Sequence, residues 1–142
     1  PEDQISVVVY SSDTRVLVEA VSALRKEEIL DALNKFGGAG GTKSKTGLRT
    51  AYGLAKDYYI SGGNNRIIMA TDGYFEIEDV YRMADRISEN RIALSVFSFG
   101  KLTETRTLQL EELAERGNGN YFNITRSNIE SALLKEAKAV RK

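Results

Sequence analysis

The run Arg66-Ile67-Ile68-Met69-Ala70 ends on Thr71-Asp72-Gly73, and this stretch limits the chain's architecture more than any other. An unbroken apolar run of this length reads as a parallel strand buried on both faces. Ligands of α/β proteins bind in the crevice beyond the carboxyl ends of such strands. Asp72 is therefore the first candidate functional residue. Its natural partner is Thr42, at the end of the glycine loop Gly37-Gly38-Ala39-Gly40-Gly41-Thr42.

The flanking sequence supplies the rest of an α/β pattern. Ile5 to Tyr10 and Arg15 to Ala20 are rich in β-branched residues and are separated by Ser11-Ser12-Asp13-Thr14, which predicts a hairpin. Ser22 is placed to N-cap a helix through Phe36, with Leu24, Ile29, Leu30 and Leu33 on its inward stripe and Gly37-Gly38 ending it. A second helix is expected from Lys45 to Tyr59, with Leu48, Ala51, Tyr52 and Ala55 at core spacing. Ser61 to Asn65 then turns the chain into the strand that ends at Asp72.

Residues 79 to 90 read as a helix, Ile92 to Phe99 as a fully buried strand, and Leu108 to Arg116 as a helix with Leu110, Leu113 and Ala114 inward. Gly117-Asn118-Gly119-Asn120 is turn chemistry before a short strand from Tyr121 to Ile124, and Ser127 is placed to cap an amphipathic helix from Asn128 towards Val140. The fold class expected is α/β: a doubly wound, mostly parallel sheet with one antiparallel hairpin edge and helices on both faces. At 142 residues the length is that of one domain. The chain opens on Pro1-Glu2-Asp3 without an initiator Met, which reads as a processed or engineered boundary inside a longer protein.

Composition narrows the chemistry. With no Cys and no His, thiol nucleophiles, thiolate or imidazole zinc sites and imidazole-based triads are excluded. Oxygen ligands remain, and they suit hard ions such as Mg²⁺ or Ca²⁺. Twenty basic and twenty acidic side chains cancel, so no excess positive field exists to hold nucleic acid. No apolar stretch approaches the roughly 20 residues of a membrane-spanning helix, and membrane insertion is not expected.

The motif from Gly38 to Ser44 superficially resembles a phosphate loop, but Thr42 stands where the last glycine should be, and the loop follows a helix rather than a strand. A nucleotide- or phosphate-binding enzyme domain using Gly37 to Thr42 with Asp72 is thus the alternative functional class. A structural scaffold with no working metal site is the second. Glu76, Glu78 and Asp79 are expected to decorate a loop and the first turn of a helix, where they meet the helix dipole favourably. Tyr74 and Phe75, beside Asp72, are candidate partner-binding residues together with Lys43 and Ser44. Tyr58 and Tyr59 are expected at the core edge.

Two motifs carry a family resemblance: Gly-Gly-Thr-x-x-x-x-Gly-Leu-x-x-Ala-Tyr at residues 40 to 52 and Gly-Gly-Asn-Asn-Arg-Ile-Ile-Met-Ala-Thr-Asp-Gly at residues 62 to 73. With the strand sequences around them, the chain resembles the von Willebrand factor type A domain, in its bacterial branch, over nearly its whole length. The resemblance implies a noncatalytic, adhesion-type module of a larger bacterial protein, with a protein ligand. It also implies a metal-ion-dependent adhesion site, usually holding Mg²⁺, in which Thr42 matches the loop threonine and Asp72 the strand-end aspartate.

The family's Asp-x-Ser-x-Ser motif, borne on its first, central strand, occurs nowhere in the chain. The expected metal site is therefore incomplete, and Mg²⁺ binding by this chain weak or absent. Loss of that strand leaves two interior strands without a shared neighbour. Either Ile5 to Tyr10 closes directly on Arg66 to Thr71, or another chain or fragment fills the gap, giving an oligomer through it. By resemblance, localisation leans to the bacterial cell envelope or periplasm.

Overall fold

A computed structural model describes residues 3–10, 14–36, 44–73 and 75–138. These fall into two compact units that meet in sequence at Tyr58 and Tyr59. The first contains strands β1 (Gln4–Tyr10) and β2 (Thr14–Ser22) and helices α1 (Lys26–Phe36) and α2 (Ser44–Asp57). The second alternates strand and helix: β3 (Arg66–Thr71), α3 (Ile77–Glu89), β4 (Ala93–Phe99), α4 (Glu104–Arg116), β5 (Asn118–Ile124) and α5 (Ile129–Lys138).

In the first unit β1 and β2 pair antiparallel, from Gln4 opposite Ser22 to Tyr10 opposite Thr14, as the two β-branched runs require. The expected cap at Ser22 is not formed. Ser22 ends β2, its hydroxyl accepts from the Leu24 amide at 3.3 Å, and α1 begins four residues later at Lys26. This short side-chain turn competes with a cap, as serine hydroxyls readily do. Leu24 consequently stays outside the helix and 78% exposed, and of the proposed stripe only Ile29 is buried, Leu30 and Leu33 remaining exposed. In α2 the spacing holds, with Leu48 and Tyr52 buried.

The second unit is a three-stranded parallel sheet in the order β3-β4-β5. β4 is central, and its first six residues are buried on both faces. β3 is not buried in that way. It lies at the edge of its sheet, burying Ile67, Met69 and Thr71 while Ile68 is 41% exposed and Ala70 is exposed. A run that reads as a fully buried strand is here a half-buried one, paired among the described residues with β4. Each described ladder lies within one unit.

Helix and strand starts differ from expectation where polar residues form the boundary. Helix α4 begins at Glu104, because the Thr103 side chain accepts from the Arg106 amide and caps the first turn. β5 begins at Asn118, so the expected turn at Gly117 to Asn120 is largely strand. A Cβ on Gly119 would fall onto the Leu94 carbonyl, so the close approach of β5 to β4 requires glycine there. Ser127 bonds the Thr125 hydroxyl at 2.9 Å, and α5 starts at Ile129. Phe97, Phe122, Ile124 and Ala132 pack one face of this sheet against α5, with the two rings edge to face at 5.6 Å.

Candidate functional site

The carboxyl end of β3 is built by its own last residues. Thr71 is buried, and its hydroxyl accepts from the Gly73 amide at 3.0 Å, closing a tight turn directly after the strand. Gly73 adopts φ +93, which favours glycine, and a Cβ there would lie 2.8 Å from the end of the Leu102 side chain. This turn lifts Asp72 into an exposed position at the end of the sheet. The strand-end carboxylate is thus presented to solvent.

Phe75, two residues on, is partly buried, and the Arg106 guanidinium lies over its ring at 5.7 Å. Glu76 precedes α3, with Glu78 and Asp79 in its first turn, matching the expected dipole-favoured placement. Tyr58 and Tyr59 are each 39% exposed, and the Tyr58 hydroxyl donates to Glu19 at 2.7 Å. That hydrogen bond to a carboxylate, reinforced by the Glu19 charge, raises the Tyr58 pKa above 10.0.

Thr42, Lys43 and Tyr74, together with the glycine loop from Gly37, lie outside the described residues. Ser44 opens α2, but its side chain is not among those described. At the described strand end the donors are therefore one carboxylate, on Asp72, and one hydroxyl, on Thr71, that already binds an amide. The described residues hold no group of three or more acidic side chains placed to bind a cation.

Sequence reasoning overlooked the opposite end of the sheet. Glu136, near the end of α5, is 1% exposed and accepts from Arg66 Nη1 at 2.8 Å, the Ser95 hydroxyl at 2.6 Å and Asn120 Nδ2 at 2.8 Å. Arg66 also donates through Nε to Asn64, and the Asn120 amide donates to Ser95 Oγ at 2.9 Å. Every strand of this sheet and α5 contribute one member, so a buried charge is paired and hydrogen-bonded as burial requires. A signal existed: Glu136 falls four residues after Ala132, on the face of α5 that packs inward.

A third polar group lies nearer Asp72. Ser98, fully buried and opposite Thr71 in the ladder, bonds the Tyr121 hydroxyl at 2.6 Å and accepts from Asn123 Nδ2 at 3.1 Å. Asn123 Nδ2 also reaches the Gly100 carbonyl, and its own carbonyl accepts from Asn128. These bonds fix the loop after β4 and the start of α5.

Set beside known proteins, residues 1–136 match the sequence pattern of the von Willebrand factor type A domain. The chain belongs to that family. The Escherichia coli protein named YfbK is 33% identical over 141 residues, covering 95% of this chain and 24% of the relative, so the chain spans about a quarter of that protein's length. The protein named BatB from Bacteroides thetaiotaomicron superposes with a TM-score of 0.74 at 18% identity, over 98% of this chain and 82% of that one. A von Willebrand factor type A protein from Catenulispora acidiphila superposes with a TM-score of 0.75 at 19% identity, over 94% of this chain and 33% of that one. At these identities the structural matches establish the fold alone.

Within the family, type A domains commonly bind a metal ion at an adhesion site and mediate protein interactions. Among the described residues, no helix is long and apolar enough to cross a membrane.

Proposed function

We propose that the chain is a noncatalytic protein-binding module of a larger bacterial protein, and that it meets its partner at the carboxyl end of the parallel sheet. The observation that carries this reading is the β3 end itself. A buried threonine and a glycine at φ +93 hold Asp72 outward, three residues before the partly buried Phe75. Strand-end loops on a rigid sheet are the common place for recognition in α/β folds, and the family match supplies the class of function.

Thr42 and Asp72 are read as the remaining protein ligands of an incomplete metal site, with Tyr74, Phe75, Lys43 and Ser44 around it as partner contacts. The name of a structural relative, an aerotolerance-related membrane protein from Bacteroides fragilis, supports a cell-envelope setting. The sequence offers neither thiol nor imidazole, so an enzyme reading would have to rest on carboxylates, hydroxyls or lysines.

Calorimetric titration with Mg²⁺ and then with a partner protein tests the proposal. Weak or no heat from Mg²⁺ alone, and partner binding that falls about tenfold or more in Asp72→Ala, is the expected result. Tight Mg²⁺ binding by this chain would overturn the incomplete-site view. Partner binding indifferent to both Asp72→Ala and Phe75→Ala would overturn the location.

A further inference from the structure

The start of β5 is pressed against its neighbour β4. Asn118 pairs with Leu94 in the parallel ladder, and the Leu94 amide donates to the Gly117 carbonyl at 2.8 Å. A Cβ on Gly119 would fall onto the Leu94 carbonyl, so no larger residue fits there without a shift of β5. Asn118, just before it, holds φ +56, a left-handed conformation that asparagine tolerates better than most side chains. Backbone geometry and close packing thus select two adjacent residue types independently, and the pair they make is Asn-Gly.

This is the only Asn-Gly pair in the chain, and such a pair carries a chemistry of its own. The backbone nitrogen after an asparagine can attack the side-chain amide carbon, and glycine hinders that attack least because it has no Cβ. A bond forms between the Gly119 nitrogen and Asn118 Cγ. The side-chain nitrogen leaves as ammonia, taking the proton of the Gly119 N–H, and a succinimide ring remains. Water then opens the ring at either carbonyl and gives aspartate or isoaspartate. Asp72-Gly73 can close the same ring only by expelling water from a carboxyl group, a slower route, and its Gly73 amide is held by the Thr71 hydroxyl.

Asn118 is exposed, so water reaches its side chain. Ring closure also needs the Gly119 nitrogen to swing towards that side chain, and the backbone here is clamped. Gly119 lies on Leu94, while Asn120 donates through its amide to Ser95 Oγ at 2.9 Å and through Nδ2 to Glu136 at 2.8 Å. The second of these bonds ties the start of β5 to α5.

We propose that Asn118 is a site of spontaneous covalent modification, converted through a succinimide to aspartate and isoaspartate, and that the clamp of Asn120 on Ser95 and Glu136 gates the reaction. Opening a strand start takes less free energy than global unfolding, so the reaction proceeds from the folded chain at a rate the clamp sets. Isoaspartate routes the main chain through the former side-chain carbons and adds an extra backbone carbon directly before Gly119. The ladder with Leu94 and the Asn120 bonds then no longer share one register, and the product loosens the hold of α5 on the sheet.

The test incubates the chain in mildly alkaline buffer, folded and in urea, and maps the products by mass spectrometry with fragmentation that separates aspartate from isoaspartate. In urea, conversion at Asn118 should exceed that at every other asparagine; if it does not, the site is wrong. The folded chain should react about tenfold or more slowly than the unfolded one, and equal rates would overturn the gate. Ser95→Ala removes the acceptor of the Asn120 amide and should speed the folded reaction about threefold or more, with the rate in urea unchanged. A Ser95→Ala chain that is folded by circular dichroism and reacts no faster would also overturn the gate.

A second measurement needs no variant. In urea concentrations below the unfolding transition, the reaction rate should rise in step with hydrogen exchange of the Asn120 amide, and a rate indifferent to that exchange would overturn the gate. The isoaspartyl form, separated by ion exchange, should melt below the unmodified chain. Asn118→Asp, which has the charge without the extra backbone carbon, should melt with the unmodified chain. An isoaspartyl form as stable as the unmodified chain, or an Asn118→Asp chain as unstable as the isoaspartyl form, would overturn the proposed effect on α5.

Discussion

Two ends of one parallel sheet treat arginine in opposite ways. At the amino end, Arg66 is 11% exposed and meets a Glu136 that is 1% exposed, and Ser95 and Asn120 satisfy the remaining carboxylate lone pairs. At the carboxyl end, Arg106 holds its guanidinium over Phe75 with a buried nitrogen unmatched. The first arrangement joins three strands and a helix and leaves nothing for a ligand. The second leaves one nitrogen unmatched where solvent does not reach it. The difference teaches that burying part of an arginine does not by itself match its nitrogens; the carboxylate, hydroxyl and amide that do so must be brought by neighbouring strands and a helix.

The sharpest way to break this comparison is Glu136→Leu, which strands a nearly buried Arg66 without its partner. A loss of about 3–5 kcal/mol in unfolding free energy is expected from urea denaturation. Replacing both members, as Arg66→Met with Glu136→Leu, should recover most of that loss, because a buried ion pair exchanged for apolar groups of similar volume is often neutral. If the double variant is as unstable as the single one, the cluster matters for shape rather than charge balance.

Thr71→Val removes the acceptor that closes the turn at Gly73 and leaves a buried amide unpaired. The expected cost is about 1–3 kcal/mol, with displaced amide resonances for residues 72 and 73. A variant as stable as the native chain would show that the turn is held by Gly73 packing on Leu102 alone.

The smallest effect is expected at Tyr81, whose hydroxyl donates to the Gln109 carbonyl at 3.1 Å and links α3 to α4. Burial, then the nearby Glu112 charge, raises its pKa above 10.0. A raised pKa means the folded state holds the phenol proton more tightly than the unfolded chain. This contribution is therefore fully present below about pH 10 and is lost as pH rises through the higher folded value. Tyr81→Phe should cost about 0.5–1.5 kcal/mol at neutral pH and flatten the alkaline fall in stability measured by thermal melts across pH.

Much of the architecture was legible because periodicity reports burial. The β-branched runs gave the hairpin, Leu48 and Tyr52 gave the inward face of α2, and the continuous apolar stretch at Ala93 to Ser98 gave a strand buried on both faces. The same logic misjudged β3, since Ile67 to Ala70 reads like β4 in sequence, yet Ile68 and Ala70 are exposed. Apolar character sets what a strand can tolerate. Which faces are covered depends on the elements that reach it.

Of the candidate site, Asp72 was legible because Thr-Asp-Gly after an apolar run is a local pattern, and the Thr71-to-Gly73 bond that orients it spans two residues. Arg106 was not legible, because a charged residue in the polar stretch from Lys101 looks solvent-exposed until Gly73, Leu102 and Phe75 are seen around it. For Glu136 the helical spacing from Ala132 hinted at burial, but its partners Arg66, Ser95 and Asn120 lie 70, 41 and 16 residues away and left no local pattern.

By itself, then, the sequence determined the element types, the strand-end turn at Asp72 and the von Willebrand factor type A family, all of which depend on local spacing and short motifs. The tertiary structure alone decided that Arg66 meets a buried carboxylate while a buried nitrogen of Arg106 meets no hydrogen-bond partner. Pairing a buried charge is a question of distance in space, and residues far apart along the chain carry no local pattern that records it.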